Sequence, residues 1–231
     1  MAYYGLSNPY MAKLNLETEA YSDGFACGKA ISTSVTPNNS STSLFANNEE
    51  AERVDEFVNA TVEVGTDRLP VTAENVLFGH AINSNDEVVS NAEDNGNYVG
   101  YGFYQVAMED GVKKYRACVV NKVKFAEGAE SYQTKGENIV FQTPTLSGTA
   151  RTLKNGNWRV KSPVYTNLSE TIAWLKSKLN IAVTYTAVTP ATGDNPKANG
   201  WFERSGTSPD FTYTLTSDTT VSDQKTYYAA S

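Results

Sequence analysis

His80 is the single histidine of the 231-residue chain, and histidine is the side chain best suited to proton transfer near neutral pH. A Ser-His-Asp hydrolase of the α/β type also needs a nucleophile in a Gly-x-Ser-x-Gly turn, which this sequence lacks. One histidine without a paired cysteine cannot build a Cys/His zinc site. His80 follows Gly79, a residue type that commonly ends helices, so we expect its ring to interact with the last carbonyls of a helix. The expected role is structural rather than catalytic.

Two glycine-containing segments partly match nucleotide-binding loops. The sequence GFACGKA, which ends at Ala30, has one residue too few between its glycines for a phosphate-binding loop, and Ala30 stands where serine or threonine would hold magnesium. Gly100 and Gly102 start a dinucleotide-binding pattern that has no third glycine and no following helix. We therefore expect no nucleotide and no other cofactor.

Acidic residues are frequent, but their spacing matches no known site. A glycosidase needs two carboxyl groups that face each other across a sugar cleft, and a run of acidic residues is more typical of a solvated surface. That run consists of Glu49, Glu50, Glu52, Asp55 and Glu56. The residues from Asp86 to Asp94 lack the glycine and the terminal glutamate of a calcium-binding EF-hand loop. The sequence thus predicts no metal site, no catalytic residue and no enzyme.

Composition excludes some classes of partner. The formal net charge of −7 argues against tight binding to nucleic-acid phosphates and against coating an anionic membrane. Only 19% of the residues are charged, so the surface would tolerate self-association. No segment approaches the roughly 20 apolar residues of a membrane span, and the N-terminus does not match a secretory signal. We expect folding in a reducing cytoplasm, with Cys27 and Cys118 as free thiols.

The residues predict a mainly β fold. From Tyr115 to Phe125 apolar and polar side chains alternate, and Asp110-Gly111 is a tight-turn pair, so 98–125 is predicted to be a β-hairpin. Gly100 and Gly102 suggest a bulge, a bend or a close approach of another backbone. A second hairpin is predicted from Thr145–Lys154 and Trp158–Val164 around Asn155-Gly156.

One amphipathic helix is predicted to flank the strands. Asn167 would be its N-cap, Glu170 its capping-box partner and Asn180 its stop. Its apolar face would consist of Leu168, Ile172, Leu175 and Leu179. A shorter helix would run from a Thr72 cap to Phe78, with Gly79 at its end.

The first hundred residues combine strand, turn and loop signals. A turn at Tyr21–Gly24 would join two strands within Lys13–Val35, and Val58–Val64 alternates like a strand. Between them the polar residues predict a long loop, Ser32–Asn48, and then one helical turn at Asn48–Glu56. Residues 81–97 are predicted to be a connecting loop.

The C-terminal part changes in composition. A linker is predicted at Thr189–Pro196, and short aromatic strands follow it. About 35 residues cannot hold a sizeable core alone, so they would pack on the main domain or a neighbouring copy, or form a marginal hairpin. We therefore divide the chain into residues 1–182 and an extension, 183–231.

Six segments follow one another along the chain: GLSNPYMAKL, YSDGFACGKA, SLFANNEEAE, NYVGYGFY, KYRACVVNKVKF and TKGEN leading into IVFQTPTLSGTA. Together they resemble the major tail proteins, or tail tube proteins, of long-tailed non-contractile phages of Gram-positive bacteria. Their order and coverage, rather than any one segment, carry the resemblance. The C-terminal GWFERSG, SDTT and KTYY are similar to short aromatic modules that are appended to such proteins.

The resemblance implies a β-sandwich or barrel-like tail tube fold with a flanking helix, a long inter-strand loop and a C-terminal extension. It also implies a structural virion protein, assembled in the host bacterial cytoplasm, whose hexameric rings stack into the conduit for genome delivery. Implied partners are other copies of the chain and the tape measure, tail terminator and distal tail proteins. Genomic DNA would pass through without specific binding, and no membrane is involved.

Exposed or aromatic residues are the interface candidates. An aromatic strand whose rings occupy both faces, as at 98–104, is more typical of a subunit interface than of a stacking platform for sugars or bases. The candidates are Tyr3, Tyr4, Leu44, Phe45, Phe103 and Tyr104. Three alternatives remain: the inner tube protein of a contractile tail or injector, a surface-binding β-sandwich module supported by the aromatic C-terminal strands, and lastly a glycan-cleaving enzyme.

Overall fold

The chain is mainly β, as predicted. The computed structural model describes residues 2–47, 49–129, 134, 143–207, 210–222 and 225–231, without the side chains of residues 2, 8, 45, 46 and 210. Within these ranges the helices are α1 (Val71–Phe78) and α2 (Leu168–Lys178). The strands are β1 (Ala2–Leu14), β2 (Tyr21–Ala26), β3 (Ala30–Ala46), β4 (Glu49–Thr66), β5 (Ala81–Ile82), β6 (Val88–Val89), β7 (Tyr98–Glu109), β8 (Val112–Ala126), β9 (Thr145–Arg151), β10 (Arg159–Lys161), β11 (Tyr185–Ala187), β12 (Phe202–Thr207), β13 (Asp210–Leu215) and β14 (Tyr227–Ala230).

Most strands belong to one sheet. Its order is β2-β1-β7-β8-β9-β4-β3, and β10 pairs with β8 beside this path. A four-stranded sheet has the order β11-β14-β12-β13, and β5 pairs with β6. The motif TKGEN and the residues up to Gln142 lie outside the described ranges except for Thr134.

The chain divides into two compact units. Unit 1 comprises Met1–Ser7, Gly102–Val119 and Lys161–Ser231, and unit 2 comprises Asn8–Tyr101 and Val120–Val160. The boundary predicted at residues 182 and 183 stays a prediction.

The core of unit 2 follows from the period of two along its strands. From Ala60 to Val64 of β4, and along β9, every second residue is buried, and the buried ones share a face because Val64 pairs with Leu146 and Ala60 with Ala150. A Cβ at Gly148 would stand 2.7 Å from the ring of Phe125, so the glycine makes room for that ring.

The core of unit 1 forms where helix α2 packs against strand β7 and the C-terminal strands. A residue in the left-handed region ends the helix at Asn180 (φ 52°), and the Ile181 and Asn180 amides donate to the carbonyls of Lys176 and Ser177. This is the Schellman arrangement, so the predicted stop is confirmed. The C-terminal strands pack on the same helix, through a cluster that contains Phe202, Tyr228, Ala230, Ala173, Val183, Tyr185 and Tyr213.

Turn chemistry was the most reliable local signal. The hairpin of β7 and β8 is confirmed, with positive φ at Asp110 and Gly111. Gly79 ends α1 in the left-handed region, but the helix begins at Val71 after Pro70, so the predicted Thr72 cap is wrong. At Asn155-Gly156 the turn is present, whereas the predicted pairing is wrong: β9 pairs with β8 and β4, and β10 pairs with β8.

The largest error concerns the predicted loop Ser32–Asn48, which is strand β3 up to Ala46. The predicted helical turn at Asn48–Glu56 is also wrong, because β4 begins at Glu49. These segments pair with each other along almost their whole length, with register shifts near Asn38 and Leu44. A ribbon that is solvated on both faces needs no apolar alternation, so the period-two signal was absent.

Two smaller differences lie nearby. The predicted turn Tyr21–Gly24 lies inside β2, and the chain turns at 15–20 instead, because the Asn15 side chain accepts hydrogen bonds from the amides of Glu17 and Thr18. The predicted connecting loop at 81–97 contains the short β5–β6 pair.

Candidate functional site

The main candidate for a functional surface is the distal part of the β3–β4 hairpin, residues 37–47 and 49–59, which we call the arm. Strand β9 pairs with β4 only from Ala60 to Gly65. Beyond Ala60 the register of β4 continues with β3, from Asn59 opposite Asn38 to Glu49 opposite Ala46. At roughly 3.4 Å per residue, the arm extends about 35 Å.

One face of the arm holds a shallow groove of about 380 Å³. Thr42 lies opposite Val54, and Leu44 lies opposite Glu52, so these side chains share the face. Leu44 is 60% exposed and Val54 is 54% exposed. Exposed apolar side chains therefore form the floor of the groove. Its other lining residues are Ser40, Ser43, Glu52 and Glu56, so two carboxylates flank that floor.

The opposite face of the arm is polar and internally paired. Arg53 Nε lies 3.3 Å from Asp55 Oδ1, and Ser41 donates a hydrogen bond to the same carboxylate. These two hydrogen bonds lower the pKa of Asp55 below its ordinary value. Ser43 Oγ donates to Glu50 Oε1 at 2.9 Å. With five carboxylates and one arginine, the arm has a formal charge of −4.

An aromatic contact fixes the base of the arm. The rings of Phe57 and Trp158 stack with centroids 4.8 Å apart and planes 14° apart. The guanidinium of Arg159 lies 4.3 Å from the Trp158 centroid, so the indole contacts both an aromatic ring and a cation. These contacts join the base of the arm to the segment that contains Trp158 and Arg159.

The six predicted interface residues fall into different environments. Tyr3, Tyr4 and Leu44 are exposed, whereas Phe103 and Tyr104 are buried within the subunit. The Tyr104 ring makes an edge contact with Tyr115, 6.5 Å between centroids. The side chain of Phe45 lies outside the described part of the chain. Their role at an interface stays a prediction.

His80 is buried between two carboxylates rather than against helix carbonyls. Its Nδ1 lies 2.8 Å from Asp94 Oδ2, and its Nε2 lies 3.5 Å from Glu127 Oε1. The bond to Asp94, and to a lesser degree Glu127, raises the pKa of His80. The same bond, with one from the Asn91 amide, lowers the pKa of Asp94. Because carboxylates face both ring nitrogens, the arrangement holds three chain segments together instead of presenting a base to a substrate.

The two cysteines are buried free thiols, as predicted. Burial, with a smaller contribution from Asp67, raises the pKa of Cys27 to about 12, so the thiol stays protonated at neutral pH. Within the described ranges, no three His, Cys, Asp or Glu side chains are grouped to hold a metal ion. No helix among the described residues is long and apolar enough to cross a bilayer.

The groove itself was not predicted from the sequence. Glu52, Val54 and Glu56 differ in polarity, and they share a face only because this segment is a strand paired with β3, so no short-range pattern marked the groove. Comparisons of the chain with protein-family models and with curated proteins give no match. The surface geometry therefore carries the functional argument.

Proposed function

We propose that this protein is the structural subunit of a phage tail tube, in which hexameric rings stack into the conduit for genome delivery. The observation that carries the proposal is the arm, a two-stranded ribbon with Leu44 and Val54 exposed on one face. An isolated two-stranded hairpin is marginally stable in water, and burial of its apolar groove against another molecule would stabilise it.

The edges of the main sheet support self-assembly. Strands β2 and β3 end the sheet order among the described strands, so each has an unpaired edge. Open edges pair readily with other strands, and a closed ring of identical subunits leaves none of them free. Pro37 interrupts the donors on the β3 edge, as expected for an edge strand. The tape measure, tail terminator and distal tail proteins would then meet the ends or the lumen of the tube.

Electron microscopy tests this proposal directly. Concentrated wild-type protein is expected to form six-fold rings or tubes about 100 Å across, on the scale of six such domains around a pore. The variant Leu44→Asp/Val54→Asp should stay folded and lose assembly, whereas Leu16→Asp/Val89→Asp, at exposed positions outside the arm, should assemble normally. A wild-type protein that stays monomeric at all concentrations and salt conditions would contradict the proposal.

A second candidate is a surface-binding module located in the C-terminal sheet. Arg204 lies over the rings of Phe211 and Tyr228, at 4.3 and 5.3 Å, and Tyr185 stacks on Tyr213 at 4.0 Å. Phe211 is exposed, and Tyr185 and Tyr213 are half-buried, whereas Tyr228 belongs to the core, and partly exposed aromatic rings suit planar or sugar ligands. Binding of a glycan by the wild-type chain, lost in Phe211→Ala, would favour this candidate.

A further inference from the structure

A small basic and apolar surface lies at the start of β8. Side chains two residues apart share a strand face, which places Val112, Lys114 and Arg116 together. Val112 is 49% exposed, and the two cations are half-buried. All three residues belong to unit 1.

A neighbouring segment completes this surface. Tyr115 and Tyr165 form an antiparallel bridge in which each amide donates to the other residue's carbonyl, at 2.8 and 2.9 Å. The bridge places Val164, which is 44% exposed, beside Arg116. Arg116 Nε also donates to the Ser162 carbonyl at 3.1 Å, which holds the guanidinium over this segment. We call Val112, Lys114, Arg116 and Val164 the basic patch.

The groove and the basic patch have complementary chemistry. The groove presents two apolar side chains beside Glu52 and Glu56, and the patch presents two apolar side chains beside Lys114 and Arg116. Opposite charges around an apolar centre favour one docking register and disfavour a partner surface whose charge has the same sign.

We propose that the groove on the arm of one subunit binds the basic patch of a second copy of this chain. The inference rests on the proposed self-assembly, and it names the surface that receives the arm. It also makes assembly sensitive to salt, because the charged side chains on both sides are partly solvated.

Charge reversal tests the pairing. Glu52→Lys/Glu56→Lys and Lys114→Glu/Arg116→Glu should each lower the assembled fraction in sedimentation about tenfold or more, since like charges then face each other. A protein with all four reversals should recover assembly, because the charges are opposite again. Glu17→Lys/Glu93→Lys changes the net charge as Glu52→Lys/Glu56→Lys does, but at exposed sites outside the groove, and should assemble normally. Lys114→Glu alone retains the Arg116 hydrogen bond and should lower assembly in the same direction. This variant therefore distinguishes the loss of charge pairing from misfolding.

Disulfide trapping gives an independent readout. A mixture of Val54→Cys protein and tagged Val112→Cys protein should form a heterodimer on mild oxidation, whereas Val89→Cys protein with Val112→Cys protein should not. The native cysteines are buried and should not interfere. Tubes without the heterodimer, or reversals without effect, would overturn this docking and leave the tube function standing. A heterodimer without rings or tubes would support the docking and contradict the tube function, and loss of both readouts would contradict both proposals.

Discussion

Gly102 lies directly against Leu175 of helix α2. A Cβ added at Gly102 would stand 2.7 Å from Leu175 Cδ1 and 2.9 Å from Leu179 Cδ1, both in fully buried side chains. The glycine therefore sets how closely the helix approaches strand β7, and the groups that come close are two leucine side chains rather than the second backbone that the sequence predicted as one possibility.

We expect Gly102→Ala to destabilise the protein by about 1 to 3 kcal/mol, the usual cost of overpacking a dense core. Chemical denaturation would measure the change. Leu175→Ala alone should cost about 2 to 5 kcal/mol because it leaves a cavity. The double variant should lose less than the sum of the two, since each change makes room for the other. Strict additivity would show that the two residues do not share this space.

The His80–Asp94 contact should make the free energy of unfolding fall both as the pH rises and as the pH falls. The pKa of His80 is raised, so its stabilisation is complete below its ordinary value of 6.5 and is lost as pH rises through the folded-state value. The pKa of Asp94 is lowered, so its stabilisation is complete above 3.8 and is lost as pH falls through the folded-state value. Stability from this pair is therefore greatest between these two ordinary values.

Thermal unfolding would check the upper side of that window. We expect the wild-type Tm to fall between about pH 5.5 and pH 8.5, and we expect His80→Gln to show a smaller fall because the ring no longer titrates. Glu87→Gln, which changes an exposed carboxylate away from His80, should behave like wild type. An equal fall in wild type and His80→Gln would rule out His80 as the source.

The stack of Phe57 on Trp158 should control the order of the arm. Phe57→Ala removes this contact, and an aromatic pair of this kind contributes about 0.5 to 1.5 kcal/mol beyond its buried area. Amide hydrogen exchange should therefore accelerate in residues 49–59 while the core strands stay protected. Phe211→Ala, in the other unit, should leave exchange in the arm unchanged. Unchanged exchange in Phe57→Ala would show that the stack does not hold the root of the arm.

The thiols should be inert in the native state. Cys27 is fully buried, and this burial raises its pKa to about 12, so its thiol stays protonated at neutral pH, while Cys118 is buried on β8 and shielded from reagents. A chromogenic disulfide reagent should titrate two thiols after denaturation and almost none before it. Rapid reaction of one thiol in the folded protein would contradict the described burial.

Much of the fold could be predicted because the relevant signals are local. Asp110-Gly111 supplies two positive φ angles in adjacent residues, which a two-residue hairpin turn of type I′ requires wherever it occurs. Asn167 and Asn180 define the ends of α2 through their own backbone conformations. The alternation of Ala60, Val62 and Val64 at the end of β4 was visible for the same reason, since it depends only on the pleat of a strand with one face in the core.

The sequence alone thus determined the mainly β class, the hairpin of β7 and β8 and the flanking helix, because turn residues, caps and periodicity act over a few positions. Tertiary structure decided the rest. Polar residues 36–43 are extended because β4 lies beside them, and β10 joins β8 rather than β9. The groove likewise exists only once Leu44 and Val54 lie on one face. Strand pairing joins residues far apart in sequence, so the choice of partner is made by the whole sheet and not by any short segment.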